Sequence, residues 1–264
     1  MITVDTAIKI VTEAIKPLSP KKVPFEDGLG LCLAQDVQSD IDMPPFNRSA
    51  MDGYAVIAAD TANAPVELAV IEDIAAGYAP TKRVQQGQAS KIMTGAATPE
   101  GADAVVKFEE TEGLATDNRI KILKSSKKGS NISNRGEDMR VGQTVLFKGT
   151  PIRPQEIGIL ATVGKSSVEV FPAPTVGVIS TGDELVDVER KPSHVQIRNS
   201  NGYSLSAQAR RLGANVELLG VVKDTKKDIF DMIQRGLKKD ILIMSGGVSM
   251  GEYDLVGEVM KDIN

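Results

Sequence analysis

The run Pro174-Thr175-Val176-Gly177-Val178-Ile179-Ser180-Thr181-Gly182-Asp183-Glu184 decides the fold class. Thr175–Ser180 reads as a fully apolar strand, the signature of a strand covered on both faces. It runs directly into hydroxyls, a glycine and two acids. The following sequence repeats the theme. A helix opens near Asn201, sets Leu205, Ala209 and Leu212 on one face and stops at Gly213. Val216–Val222 is the next strand. Thr225-x-x-Asp228 is a capping box that opens a helix carrying Ile229, Ile233 and Leu237. Ile241–Met244 is the third strand, followed by a glycine loop and the start of another helix. Strand–helix alternation of this length implies a parallel sheet with right-handed crossovers.

Upstream, Pro172-Ala173-Pro174 is a stiff hinge and a domain boundary. From Pro44 to Asn134 the character changes to short β-runs: Tyr54–Ile57, Val66–Ile71, Lys91–Thr94, Ala104–Phe108 and Arg119–Leu123. Gly, Pro, Asn and Asp separate them, as in a small irregular β domain. Val145–Phe147, a helix-like stretch after Pro154 and Val168–Val170 follow. At the N-terminus, Ile8, Val11, Ile15 and Leu18 recur at helical spacing, with Thr3 or Asp5 as cap and Pro17 and Pro20 at the end. A weaker helical pattern covers Phe25 to Val37, diluted by Gly28 and Gly30. The expected organisation is a discontinuous helical and linker domain (1–43 and 135–171), an inserted β domain (44–134), and an incomplete α/β domain (172–264). Three strands make a thin sheet, and the last helical pattern reaches Asn264 without a cap or glycine stop, which reads as a truncation.

Bulk properties narrow the function. A chain of 264 residues suits two or three domains. The net charge of −4 gives no broad basic surface for a nucleic-acid backbone. No apolar run approaches the ~18 residues of a membrane helix, and MITVDTAIKIV lacks the design of a signal peptide, so the expected compartment is the cytoplasm. One histidine, His194, and one cysteine, Cys32, cannot build a Cys/His zinc site or a disulfide framework. Any metal must be held by oxygen ligands or by the substrate.

Ligands of open parallel sheets bind outside the carboxyl ends of the strands. Three such ends are visible: Ser180-Thr181-Gly182-Asp183-Glu184, Lys223-Asp224-Thr225, and Ser245-Gly246-Gly247-Val248-Ser249-Met250-Gly251-Glu252-Tyr253-Asp254. Adjacent glycines let backbone approach a ligand, and the amides and hydroxyls around Ser245 and Ser249 can hold anionic oxygen. Glu184, Asp224 and Asp254 stand where a metal or phosphate-bearing ligand would lie, and carboxylates beside an anion call for a hard cation such as Mg²⁺. Plainer readings stand beside these. Asp224 serves equally as a cap for the helix at Thr225, Asp254 as a cap for the last helix, and Glu184 as a solvated loop residue. In the β region, Asp52-Gly53 alone is a hairpin signal, and Thr94-Gly95 reads as a turn.

Six blocks then stand in order: PPFNRSAMDGYAV (44–56), KIMTGAATPEGADAVVKFEET (91–111), NRGEDMRVGQTVLFKGTPIRPQEIGILATVG (134–164), PTVGVISTGDELV (174–186), RNSNGYSLSAQARRLGA (198–214) and LIMSGGVSMGEYD (242–254). Together they resemble the molybdopterin molybdenumtransferase family, bacterial MoeA and the E domain of gephyrin. The likeness runs from the first helix to the last residue. The resemblance implies a multidomain α/β fold with a parallel-sheet molybdopterin-binding domain. It implies an enzyme that takes adenylylated molybdopterin and molybdate with Mg²⁺ and releases AMP and molybdenum cofactor. It also implies an elongated homodimer, its cleft shared between the pterin-binding domain of one subunit and the β domain of the other. A molybdopterin adenylyltransferase becomes a possible partner, with no nucleic acid or membrane involved.

Carried across residue by residue, the implied catalytic residues are Asp52, Thr94, Glu184, Asp224 and Asp254, with Glu184, Asp224 and Asp254 as metal ligands. Thr181, Gly182, Asp183, Ser245, Gly246, Gly247, Ser249 and Asp138 are the implied cofactor-binding residues. The family's RRRGED stretch is here Ser133-Asn134-Arg135-Gly136-Glu137-Asp138, with one of three arginines kept. The family's lysine-rich K-PGKP stretch and its GLPGNP block do not occur before Asn264. Two other readings compete: a non-catalytic pterin-binding or scaffold fragment, and a nucleotide pyrophosphatase of the CinA type, which shares a TGDEL-like turn. The AMDGYA block and the β domain argue against the latter.

Overall fold

The computed structural model describes residues 2–113, 118–246 and 255–263. Contacts divide the chain into two units, one of Met1–Gln35, Lys148–Gly158 and Lys165–Asn264, the other of Asp36–Phe147 and Ile159–Gly164. This division is coarser than the three segments read from the sequence. Among the described residues no helix is long and apolar enough to cross a membrane.

The second unit is built on six strands: β1 (Gly53–Val56), β2 (Val66–Ile74), β3 (Gln88–Ile92), β4 (Ala104–Lys107), β5 (Thr111–Gly113) and β6 (Arg119–Ile122). Their order in the sheet is β4-β1-β3-β2-β6-β5. All pairs are antiparallel except β2 with β3. Alternation sends Val56, Leu68, Ala89, Val106 and Ile120 into one apolar cluster, and Ala55, Ile74, Ile92 and Val105 into another. The outer edge of β4 is covered, because the Val105 amide donates to Ser130 O at 2.9 Å and Asn131 Nδ2 donates to Val105 O at 2.8 Å. That pairing removes an open strand edge.

The hairpin reading of Asp52-Gly53 is corrected here. Gly53 is the first residue of β1, whose partners β3 and β4 lie far along the chain. Glycine stands there for space: a Cβ would lie 2.0 Å from the Val106 carbonyl oxygen.

In the first unit, α1 (Val4–Ala14) is capped by Thr3 rather than Asp5, with the Thr6 amide donating to Thr3 Oγ1 at 3.2 Å. The helix expected over Phe25–Val37 does not form. Phe25–Gly28 is one 3₁₀ turn, Gly30 takes φ +80°, and Cys32–Leu33 is extended. Leu33 pairs with Val170 and Cys32 with Phe171 in an antiparallel strand that also takes Lys21–Pro24. Strand pairing that buries Leu33 completely overrides a helical pattern already weakened by glycine. The boundary between the units falls within α2 (Pro154–Thr162).

The parallel sheet is present as read. Strands β7 (Thr175–Thr181), β8 (Asn215–Val222) and β9 (Ile241–Ser245) lie in the order β8-β7-β9, every pair parallel. Three helices complete it: α3 (Ser200–Arg211), α4 (Lys226–Gly236) and α5 (Leu255–Ile263). One face packs Ile179 and Val222 against Ile229 and Ile233 of α4 and Val256 and Val259 of α5. Thr225 caps α4 by accepting the Asp228 amide at 3.2 Å, as the capping box required. Leu212 and Leu237 differ from expectation: each is a C-cap residue beyond the last helical turn, and each is exposed.

Gly53→Ala is expected to destabilise the protein by about 3 kcal/mol or more, because the new methyl cannot fit without parting β1 from β4. Gly113→Ala, with nothing within 4 Å of its Cβ position, is expected to cost far less. Urea midpoints of the two variants provide the check, and equal midpoints would refute the close-approach explanation.

Candidate functional site

The carboxyl end of β7 opens on a cavity of about 140 Å³ whose lining includes Thr181, Glu184, Arg198, Ser200, Asn201 and Ser245. It lies wholly in the first unit, at the position the sheet topology marks out for a ligand. The backbone after β7 turns at once, the Leu185 amide donating to Gly182 O at 3.1 Å. Leu185–Val186 then pairs in parallel with Ile197–Arg198, which returns the chain to the cavity and delivers α3 to its rim.

Asn199 fixes that return, and sequence reasoning missed it. It is 4% exposed and caps α3: its Oδ1 accepts the Gly202 amide at 3.0 Å and the Ser180 hydroxyl at 2.9 Å. An Asn just ahead of a helical pattern is an N-cap signal, and it was available here one turn before the apolar face. Asn201 Nδ2 donates to Ser245 Oγ at 3.3 Å, tying the same helix end to β9. Arg198 was missed as well. It is the cation of the cavity wall, with Nε donating to Val188 O at 2.9 Å.

Among the acids, Asp224 does not cap α4, because Thr225 fills that role. Its amide instead donates to Asp183 Oδ1 at 3.3 Å, so the ends of β7 and β8 are joined through the two aspartates. Burial, followed by the negative charges of Asp183 and Glu184, raises the Asp224 carboxyl above its ordinary value. Like charges gathered in this way oppose ionisation, and a hard cation would relieve the crowding. Glu184 is a cavity-lining residue, its carboxylate oxygens within 2.8 Å of where a Cβ on Gly182 would lie. Among the described residues no group of three or more His, Cys, Asp or Glu side chains is disposed to hold a metal ion. Asp254, the third expected ligand, lies outside the described residues, as do Gly247 and Ser249. Ser245 and Gly246 line the cavity.

In the second unit, the two segments singled out in the β region are stitched together. The turn Met93–Ala96 sits on Ser49–Asp52: the Ser49 amide donates to Ala96 O at 2.9 Å, and the Gly95 amide to Ser49 O at 2.8 Å. Asp52 Oδ1 accepts both the amide and the hydroxyl of Thr94, each at 2.7 Å. Those two bonds hold the Asp52 carboxyl below the usual carboxylate range. Asp138 is exposed, its amide donating to Met43 O at 2.9 Å. Arg135, the arginine kept in that block, is spent on Asp42, with Nε 2.6 Å from the carboxylate.

Comparison with known proteins places both units. Residues 2–164 match the family model described as MoeA N-terminal region (domain I and II), and residues 177–263 match a probable molybdopterin binding domain. The molybdopterin molybdenumtransferase of Staphylococcus epidermidis is 38% identical over 267 residues, and that of Bacillus subtilis 39% over 269. Each alignment covers 99% of this chain and 63% of the relative, so the chain spans about 63% of the length of these relatives. Among solved structures, a molybdopterin biosynthesis MoeA protein from Pyrococcus horikoshii matches with a TM-score of 0.78 at 34% identity, covering 99% of this chain and 66% of the other. A second structure of the MoeA protein from that organism gives 0.81 over 92% of this chain and 65% of the other.

Glu184→Gln is expected to lower the Asp224 pKa toward 3.8 by removing one of its two like charges. Carboxyl-carbon NMR titration reads this directly. The sign follows from linkage: a carboxyl raised in the folded state favours folding below its unfolded pKa, and that advantage fades as pH rises through the folded value. The variant should therefore gain stability relative to the parent above that pKa and not below it. An unchanged Asp224 titration would show that the acids do not interact.

Proposed function

This chain belongs to the MoeA family, and from that premise we propose that it serves the last step of molybdenum cofactor assembly. The reaction is Mg²⁺-dependent insertion of molybdate into adenylylated molybdopterin, with release of AMP. The observation that carries the reading is the cavity at the carboxyl end of β7, rimmed by Glu184 and set beside Asp183 and Asp224, inside the segment that matches a molybdopterin-binding domain.

Carboxylate oxygen is the donor type that a hard cation takes. Glu184 and Asp224 offer carboxylate oxygens, and Asp224 is raised first by burial and then by the charges of Asp183 and Glu184. Mg²⁺ held there would neutralise charge on a phosphoanhydride as it is broken. The protein's own groups divide the remaining work. Asp52, with two Thr94 donors on one oxygen, stays ionised at neutral pH. It is therefore an acceptor of hydrogen bonds or of a cation, not a general acid. Thr94 keeps that carboxylate oriented. Gly246 lines the cavity beside Ser245, and a residue without a side chain lets a substrate come close to the backbone. A molybdopterin adenylyltransferase would supply the adenylylated substrate.

Asp52→Asn and Glu184→Gln are expected to reduce Mg²⁺-dependent AMP release about a hundredfold or more while leaving the fold intact. The assay supplies adenylylated molybdopterin, Mg²⁺ and molybdate, and scores cofactor by reconstituting an apo-molybdoenzyme. Near-parental turnover in either variant would show that the chemistry lies elsewhere.

The same reading includes a homodimer. No residue of α1 is buried, and Ile8, Val11 and Ile15 are 57%, 57% and 59% exposed on its apolar stripe. An apolar stripe of this kind marks an association surface. Sedimentation equilibrium at micromolar concentration is expected to give twice the 28.1 kDa chain mass. Ile8→Glu with Val11→Glu should shift it to monomer, and a parent that is already monomeric would refute the assignment.

A further inference from the structure

Asp52 and Thr94 both lie at the surface, so the pair they form does not hold itself in place. Water competes for each donor and acceptor, and an exposed hydrogen bond contributes little net free energy. The two residues are also 42 apart in sequence, and bringing them together costs chain entropy. A buried neighbour has to fix the geometry beforehand.

Ser49 is placed to do so. It is 1% exposed, and it is bonded to both halves of the pair. Its backbone holds the turn that carries Thr94: the Ser49 amide donates to Ala96 O at 2.9 Å, and its carbonyl accepts the Gly95 amide at 2.8 Å. Its side chain holds the bend that carries Asp52. Ser49 Oγ donates to Met51 O and accepts the Met51 amide at 3.3 Å. Pairing with Ile132 anchors the residue from a third direction.

Packing gives the bend no other support. Ala50, Met51 and Asp52 are all exposed, so hydrogen bonds define their path. The Ala50 amide donates to Asn131 O at 2.9 Å, and Asp52 O accepts the Phe108 amide at 3.2 Å. Between them, among the described residues, the peptide groups of Met51 bond only to Ser49 Oγ. A serine hydroxyl is short enough to reach the main chain two residues on, which is why this residue type suits the position.

We propose that Ser49 is the positioning residue of the Asp52–Thr94 pair, its backbone setting Thr94 and its hydroxyl setting Asp52. It acts through Asp52 and not on the substrate. The inference rests on the reading of Asp52 as a residue of the site and deepens it by naming what aims that carboxylate. Catalytic groups tolerate displacements of well under ~1 Å before the rate suffers, so loosening the bend should cost turnover more than stability.

Two measurements on the 264-residue chain test this, with Ser49→Ala as the variant and Ser90→Ala as the control. Ser90 is fully buried in β3 and its hydroxyl has no partner, so the control removes an equally buried hydroxyl from the same unit. The first measurement needs no turnover. The Thr94 amide proton donates to Asp52 Oδ1, so its NMR resonance should follow the Asp52 titration in the parent. In Ser49→Ala that response should fall by about half or more, and in Ser90→Ala it should stay as in the parent. The second is Mg²⁺-dependent AMP release. Ser49→Ala should lower kcat about tenfold with KM for adenylylated molybdopterin changed less than about twofold, and Ser90→Ala should change neither. Placed on top of Asp52→Asn, Ser49→Ala should cost no further turnover, as expected of a residue that acts through the other. An unaltered Thr94 response in Ser49→Ala overturns the proposal, and so does a full tenfold loss in the Asp52→Asn background. A parent chain with no AMP release counts against the functional reading alone, and the Thr94 amide then decides the role of Ser49.

Discussion

Asn199 Oδ1 accepts two hydrogen bonds in a nearly closed environment, one from the Ser180 hydroxyl and one from the Gly202 amide. The geometry of the α/β unit's ligand end depends on that oxygen. Ser180 sits one residue before the end of β7, and Gly202 is in the first turn of α3, so the contact sets where the helix begins relative to the strand. Each such bond contributes on the order of 1 kcal/mol net, and leaving either donor buried and unpaired would cost more. Gly202 belongs to the same arrangement. A Cβ on it would lie 2.8 Å from Asn199 Nδ2 and 3.0 Å from Ser180 Oγ. The side chain that caps the helix thus occupies the space that a larger residue at 202 would need.

The parallel sheet was legible because burial on both faces leaves a plain trace in composition. In β7 every residue after Thr175 is buried, and such a strand can only be apolar or self-satisfied. The capping box at Thr225 and Asp228 was legible for a different reason: its hydrogen bonds are local, so its spacing in sequence is its geometry. The Phe25–Val37 segment shows the opposite case. Nothing local marks Leu33 as the partner of Val170, because the two residues meet only through a distant strand. A helical period and a pair of short strands are hard to tell apart when the deciding contact lies more than a hundred residues away.

The candidate site divides along the same line. Acids at strand ends follow from topology, so Asp183, Glu184 and Asp224 could be placed from the pattern alone. Asp52 and Thr94 could not. Their meeting requires the Met93–Ala96 turn to seat on Ser49–Asp52, and residue types give no hint of that until the sheet exists. The glycine of the same block was misread because a glycine after aspartate is a turn signal, whereas its use here is to let the Val106 carbonyl come close. Asn199 carried a local N-cap signal, whereas Arg198 joins the cavity wall only once Ile197–Arg198 pairs with Leu185–Val186.

Two carboxylates of the candidate site, Asp52 and Asp224, move in opposite directions, each for causes found within its own unit. Asp52 is held ionised by two donors from Thr94, a neutral residue, so its charge does not depend on a neighbouring cation that salt could screen or a substrate displace. Asp224 is raised by burial and by acids on the adjoining strand end, so its charge is the one that responds to what binds nearby. Any cation approaching Asp183, Glu184 and Asp224 lowers the Asp224 pKa by the same free energy with which ionised Asp224 attracts it. One acid is therefore constant across the working pH range and the other is coupled to occupancy. Pairs of carboxyl groups separated in this way are what distinguish a permanent anionic acceptor from a ligand-sensing one. In this chain the distinction traces to something elementary: whether the nearest donors belong to a threonine or the nearest neighbours are aspartate and glutamate.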